Sequence, residues 1–210
     1  MVSASFIDRI NRADQEITLL INSLSWSWTD WFWMVMSDIK TWIPAYLICV
    51  YFLFERLGWK KALIVIASAA LGFLLCDQLS TLVKHSVLRL RPNYTSRMLR
   101  EGLTILEKRG GFYGFFSAHA ANSFSLAVCL IIGFRNDKTH TYNAFRACAL
   151  VWATLVSFSR IIVGKHFFGD ILVGAIVGVT VGYSLGMLAR FIIRKYIDRN
   201  PKVQEGLSPS

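Results

Sequence analysis

The 210-residue chain is short of acid, with 13 Asp and Glu against 23 Lys and Arg, a formal net charge of +10. It carries only four cysteines, Cys49, Cys76, Cys129 and Cys148. None belongs to a CxxC pair or has histidines at metal-ligand spacing, and all four fall inside apolar runs. They read as small buried hydrophobes, which argues against a zinc site or a disulfide framework. No carboxylate cluster suits Mg²⁺, so no metal and no cofactor is expected. The first twenty residues are interrupted by Asp8, Arg9, Arg12, Asp14 and Glu16 and show no small-residue cleavage pattern, so no signal peptide is expected. The chain has no internal repeat.

What the chain has in excess is apolar surface. Hydrophobic residues make up 54% of it, and the mean hydropathy is +0.45, above the level of soluble domains. The basic residues cluster at the ends of apolar runs, where they snorkel to phosphate-rich head groups. The positive charge therefore points to membrane lipid as partner and away from nucleic acid, and no obligatory protein partner is expected.

A spanning helix needs about 20 mostly apolar residues to cross a hydrocarbon core about 30 Å thick. Residues 61–82, 115–134, 144–163 and 171–193 meet this, and residues 41–57 form a shorter fifth span between Trp42 and the pair Glu55 and Arg56. Glycines at 174, 178, 182 and 186 make a small-residue stripe for close helix packing. Upstream, SWSWTDWFWMVM holds four of the seven tryptophans, and residues 1–36 read as an amphipathic interfacial segment. A crossing by residues 17–36 would make a sixth span. Residues 37–194 form the transmembrane domain, and residues 195–210, with Pro201, Gly206 and Pro209, read as a flexible tail. The fold class expected is an all-α integral membrane bundle of five or six transmembrane helices.

Counting sides along these spans puts the connection 84–114 and the connection 164–170 on one membrane face, since two spans intervene. Three polar clusters then meet at one depth. The first, KHSVLRLRP at 84–92, sets Lys84 and Arg91 seven residues apart, with Pro92 ending the helix. Asp77 and Thr81 extend a polar stripe from Lys84, and Asp77 reads equally as a functional acid or as a structural partner for the lysine. The second, GFFSAHAANS at 114–123, puts Ser117, Ala118 and His119 in a first helical turn, where free amides favour an anion. Ser117 there also fits an ordinary N-cap. The third, SRIIVGKHFFGD at 159–170, sets His166 one turn before Asp170, a carboxylate able to fix the imidazole tautomer. Arg160 adds a planar fork for phosphoryl oxygens. A solvated helix end would present the same His-x-x-x-Asp spacing on its own.

Together, Lys-x6-Arg-Pro, Ser-x-His and Ser-Arg-x5-His-x3-Asp, in that order, closely resemble the type 2 phosphatidic acid phosphatase family, which shares its site with vanadium haloperoxidases. The resemblance covers about residues 61–193. It departs where the family commonly has Pro-Ser-Gly-His and this chain has Phe116, Ser117, Ala118 and His119; alanine restricts a backbone that glycine leaves free. The resemblance implies a metal-independent lipid phosphatase. His166 would be the nucleophile, Asp170 its orienting group and His119 the general acid. Lys84, Arg91, Ser117, Ala118 and Arg160 would bind the phosphoryl group. Undecaprenyl diphosphate is the first substrate expected, ahead of phosphatidate, phosphatidylglycerophosphate and lipid A phosphate. The expected place is the bacterial inner membrane with the site facing the periplasm or exterior. A vanadium haloperoxidase and a non-catalytic lipid-binding protein are the competing readings; the apolar spans disfavour the first, and the complete His and Asp set disfavours the second.

Overall fold

The computed structural model describes residues 5–198. Among these described residues eight α-helices follow one another: α1 (Phe6–Asn22), α2 (Asp30–Ser37), α3 (Ile43–Leu57), α4 (Trp59–Val87), α5 (Ser96–Arg100), α6 (Ala118–Gly133), α7 (Asn143–Ile162) and α8 (Phe168–Ile192), the last closed by a π-turn over Ile193–Ile197. No strand occurs among the described residues, only an isolated bridge between Leu90 and Tyr113.

Four helices, α4, α6, α7 and α8, are long and apolar enough to cross a membrane. Their burial separates centre from rim. In its most apolar window α6 is 61% buried against 22% for α4, and α6 packs against α4, α7 and α8. The glycine stripe of α8 explains the tightest of these contacts. A Cβ on Gly174 would stand 2.6 Å from the Ser117 carbonyl, and one on Gly178 or Gly182 would strike the backbone of Ala121 or Ser125. The outer faces carry Leu47, Tyr51, Leu74 and Ile176, each more than half exposed, as suits a lipid solvent rather than water.

The fifth expected span is short. α3 has 15 residues, a rise of about 22 Å against a core of about 30 Å, and it leans on α4 across a turn at Gly58, whose φ of 71° suits glycine. By contrast α4, with 29 residues, rises about 43 Å, so its last polar turns, with Lys84, extend past the apolar layer.

Three expectations are corrected. A continuous crossing by residues 17–36 does not form, because α1 ends at Asn22 and α2 begins only at Asp30, and the eight residues of α2 are too few. Cys148 is exposed on α7 and Cys49 only half-buried, while Cys76 and Cys129 are buried; all four are free thiols. The helical chain runs on through Ile197, and Asp198 pairs with Lys61 at 2.7 Å, so residues 195–198 are ordered. The rest of the expected flexible tail lies outside the described residues.

α1 is amphipathic in a sense reversed from a helix in water. Phe6, Ile7 and Leu20 are about seven-tenths exposed at 71%, 68% and 69%, whereas Thr18 and Asn22 are buried against the bundle. A capping box starts it, with Ser5 Oγ accepting from the Asp8 amide and Asp8 accepting from the Ser5 amide.

Candidate active site

α4 stops at Leu88, which takes the left-handed conformation at φ 55°. The chain then runs extended beside residues 112–114. The Arg91 amide donates to the Phe112 carbonyl at 2.9 Å, the Gly114 amide to the Arg89 carbonyl at 2.9 Å, and Arg91 Nε to the Tyr113 carbonyl at 3.1 Å. This pairing points the 84–92 segment at the start of α6 and α8. Gly114 shows how closely they meet, since a Cβ there would lie 3.0 Å from Arg91 Cγ, 3.2 Å from Asp170 Oδ2 and 3.5 Å from His166 Nδ1.

α6 begins under an N-cap. Ser117 Oγ accepts from the Ala120 amide at 3.4 Å, and the Ser117 amide donates to the Asp170 carbonyl at 3.1 Å. The capping role allowed for Ser117 is therefore seen directly, and the cap couples α6 to α8. His119 lies in the first turn of α6, where it feels the charges of Arg160, His166, Lys84 and Arg91. Lys84 in turn feels Arg91, Asp77, Asp170 and Arg160. Ala118 and His119 line the same cavity wall.

The turn between α7 and α8 supplies the rest. The Arg160 carbonyl accepts from both the Lys165 and His166 amides, at 3.0 and 3.1 Å. Gly164, at φ 79°, leaves no room for a side chain beside the Thr104 carbonyl, 2.8 Å from where a Cβ would sit. His166 is 2% exposed and Asp170 fully buried. Asp170 Oδ2 lies 3.4 Å from His166 Nδ1 and accepts from the Phe167 amide at 3.0 Å. With Nδ1 turned to the carboxylate, Nε2 is the nitrogen left free. Burial pushes the His166 imidazole down to about 4, against the opposing pull of Asp170, so at neutral pH the ring carries a free lone pair.

The structure thus brings Lys84, Arg91, His119, Arg160, His166 and Asp170 into one electrostatic cluster. Arg160, 6% exposed, spends one terminal nitrogen on Ser37 and on Glu107, whose oxygens lie at 3.2 and 3.4 Å. Its Nε is buried and has no acceptor among the described residues. A buried guanidinium with a spare donor is suited to an anion.

Several residues of the site were not read from the sequence. Arg89 donates to Asp170 Oδ1 at 2.8 Å and to Asp14 Oδ2 at 2.5 Å. Asp14 Oδ1 also accepts from the Gly169 amide at 2.7 Å, and Thr18 Oγ1 from the Phe168 amide at 2.9 Å. These two side chains satisfy free amides at the N-terminus of α8. Asn22 donates to the carbonyls of Thr104, Ile161 and Ile162 and accepts from the Thr104 amide. Asp14, Thr18 and Asn22 recur every four residues, a stripe that could have marked this face. Glu107 and Lys165 complete the set. Lys165 donates to the Lys108 and Arg109 carbonyls, with Glu107 at 3.8 Å, and its burial lowers its affinity for a proton while Glu107 opposes that.

A cavity of about 530 Å³ opens between α3, α4, α6 and α7 and ends at Ala118 and His119. Its walls are mainly apolar, with Trp42, Tyr46, Phe73, Leu126 and Trp152 among them. It lies within the about 300–1,000 Å³ range of ligand pockets and suits a hydrocarbon chain whose polar end reaches His119.

Residues 59–194 match the PAP2 superfamily model. The chain is 32% identical over 195 residues to a lipid A 4'-phosphatase of Bacteroides thetaiotaomicron, covering 92% of this chain and 82% of that protein. It is 33% identical over 178 residues to a lipid A 4'-phosphatase of Porphyromonas gingivalis, covering 84% and 73%. Its fold is similar to the crystal structure of a transmembrane PAP2 type phosphatidylglycerolphosphate phosphatase from Bacillus subtilis, with a TM-score of 0.68 at 18% identity over 92% of this chain and 90% of that one. It is also similar to LpxE of Aquifex aeolicus, with a TM-score of 0.59 at 22% identity over 84% and 93%. The three motifs, the membrane-spanning bundle and these relatives agree: the chain belongs to the PAP2 superfamily and is an integral membrane lipid phosphatase.

Proposed function

We propose that the enzyme removes a phosphate monoester from a lipid A-type glycolipid through a phosphohistidine. His166 Nε2 attacks phosphorus, the N–P bond forms as the ester P–O bond breaks, and His119 gives its proton to the leaving sugar oxygen. Water then attacks the phosphohistidine, His119 takes a proton from it, and phosphate leaves with His166 restored. Asp170 holds the imidazole in the reactive tautomer. Lys84, Arg91 and Arg160, with Ser117 and the amides around Ala118, meet the charge on the transferring group; each such donor is worth about 10²–10³ in rate.

The observation that carries the substrate is that two relatives, matching 92% and 84% of this chain, are both lipid A 4'-phosphatases. It displaces undecaprenyl diphosphate, the first expectation from the sequence, in favour of the lipid A phosphate named there as an alternative. We place the enzyme in a bacterial inner membrane with the site facing the periplasm. The test is phosphate release from detergent-dispersed lipid A, undecaprenyl diphosphate, phosphatidate and phosphatidylglycerophosphate, with His166→Ala as control. Lipid A should give the highest kcat/KM by about tenfold or more, a difference of about 1.4 kcal/mol in the barrier, and the control should release none. A higher value for undecaprenyl diphosphate overturns the substrate, and turnover by His166→Ala overturns the nucleophile.

A further inference from the structure

The far ends of α6, α7 and α8 lie on the membrane face opposite the candidate active site, because each of these helices has its other end there. A second pocket, of about 320 Å³, opens at these far ends and is lined by Arg135, Arg146, Arg190, Asp137 and His140, among others. We propose that it binds the phosphate of an anionic phospholipid from the leaflet opposite the active site.

Three guanidiniums converge there from three different segments, and none forms an ion pair among the described residues. The one acid in the pocket is already engaged. Asp137 accepts from Thr139 Oγ1 at 2.5 Å, from the Thr139 amide at 2.7 Å and from Tyr142 at 2.5 Å, and it lies 2.9 Å from His140 Nδ1. His140 Nε2 faces Arg56 at 2.9 Å. Basic residues at helix ends are ordinary when they snorkel into water. Here Arg146 Nε and Arg190 Nε are both shielded from solvent and without an acceptor among the described residues. Leaving a buried donor unpaired is costly, and two such donors on residues lining one pocket call for a shared acceptor. Arg190 also feels the charges of Arg135 and Arg194, a repulsion that a bound anion relieves.

The choice of a lipid over free phosphate comes from the neighbouring surface. Arg190 is shared with an adjoining trough lined by Met187, Phe191, Arg194 and Lys195, and Phe191 is 57% exposed on the lipid-facing side. A phosphodiester held by the arginines would lay its acyl chain along Phe191 and Met187, while Arg194 and Lys195 stay at head-group level.

The full-length protein, delipidated in neutral detergent, is titrated with phosphatidylglycerol, with phosphatidylcholine and with inorganic phosphate, and retained lipid is counted by native mass spectrometry. Phosphatidylglycerol should bind about tenfold more tightly than phosphatidylcholine, equivalent to about 1.4 kcal/mol. Lys84→Gln/Arg91→Gln, which removes two of the active-site cations assigned to the phosphoryl group, should keep that preference, which excludes the active site as its source. Arg146→Gln/Arg190→Gln should reduce it to twofold or less. Arg190→Lys, which keeps the charge and removes the Nε donor, should give an intermediate loss and carries the test if the double variant does not fold. Equal phosphatidylglycerol retention in the wild type and Arg190→Lys overturns the proposal. So does loss of the preference in Lys84→Gln/Arg91→Gln, and so does protection of the pocket by millimolar inorganic phosphate with no preference between the two lipids.

Discussion

Replacing His166 with Gln should make the fold less sensitive to acid, although it removes the proposed nucleophile. In the folded protein burial pushes the His166 imidazole down to about 4 from an ordinary 6.5. An unfolded chain therefore binds a proton at this position from about pH 6.5 downward, while the folded chain refuses it until about pH 4. The unfolded state holds more protons in that window, so stability falls as pH drops through it and is level above it. The full window is worth about 3 kcal/mol at 1.36 kcal/mol per unit. At pH 5 about 2 kcal/mol of that has been lost, a melting shift of about 4–8 °C for a chain of this size. Gln keeps an amide donor for Asp170 and has nothing to protonate. The other groups facing His166, namely Asp170, Arg160 and Arg91 with His119, are common to both proteins, so the difference between the two pH responses isolates the imidazole. The assay is thermal melting of both proteins in detergent at pH 7.5 and pH 5. A wild type that loses no more between these pH values than His166→Gln would refute the burial argument, and with it the claim that His166 stands neutral without help from substrate.

Two further outcomes follow from the supporting residues. Asp14→Asn breaks the 2.5 Å pair with Arg89, whose partners are 11% and 21% exposed, and leaves Arg89 to pull on Asp170 alone; kcat should fall about tenfold with a smaller change in KM, and the melting temperature by about 2–8 °C for about 1–2 kcal/mol, whereas unchanged kcat in a phosphate-release assay would make Asp14 a surface charge only. Gly178→Leu drives a side chain into the Ala121 backbone and should cost about 1–3 kcal/mol or more in melting experiments, while Gly111→Ala, whose Cβ meets nothing within 4 Å, should melt like the wild type.

The parts of this protein that could be read in advance are those where the membrane makes a residue conspicuous. Charged and imidazole side chains beside apolar runs marked three segments, the side-counting of spans was enough to place them on one face, and the family resemblance singled out Lys84, Arg91, His119, Arg160, His166 and Asp170 within them. The α8 glycines were legible for a related reason, since a four-residue stripe of missing side chains has one use between helices. What could not be read was the use made of the polar face of α1. An interfacial helix turns its apolar face to lipid and its polar face to water. In α1 Phe6, Ile7 and Leu20 do face outward, but Asp14, Thr18 and Asn22 pack against the bundle. Arg89 was hidden for a different reason, between two cations of its own motif, and Glu107 lies in the connection before α6, outside all three motifs.

These missed residues share one task, which is to make burial of the site's charges affordable. Asp170 is wholly buried, and its two oxygens are met by Arg89, the Phe167 amide and the His166 ring. Without Asp14, Arg89 would keep Asp170 as its one counter-charge, and Arg160 would be a stranded cation without Glu107. A buried charge that loses its partner costs several kcal/mol, so the motif residues hold their geometry only inside this outer ring of counter-charges. Asp14 belongs to α1, Ser37 to α2 and Glu107 to the long connection before α6, all outside the three motifs. That is the physical reason the motifs mark a candidate site while leaving its support unread: an inward-facing buried charge needs neighbours of opposite sign, and nothing in local spacing says from which helix they will come.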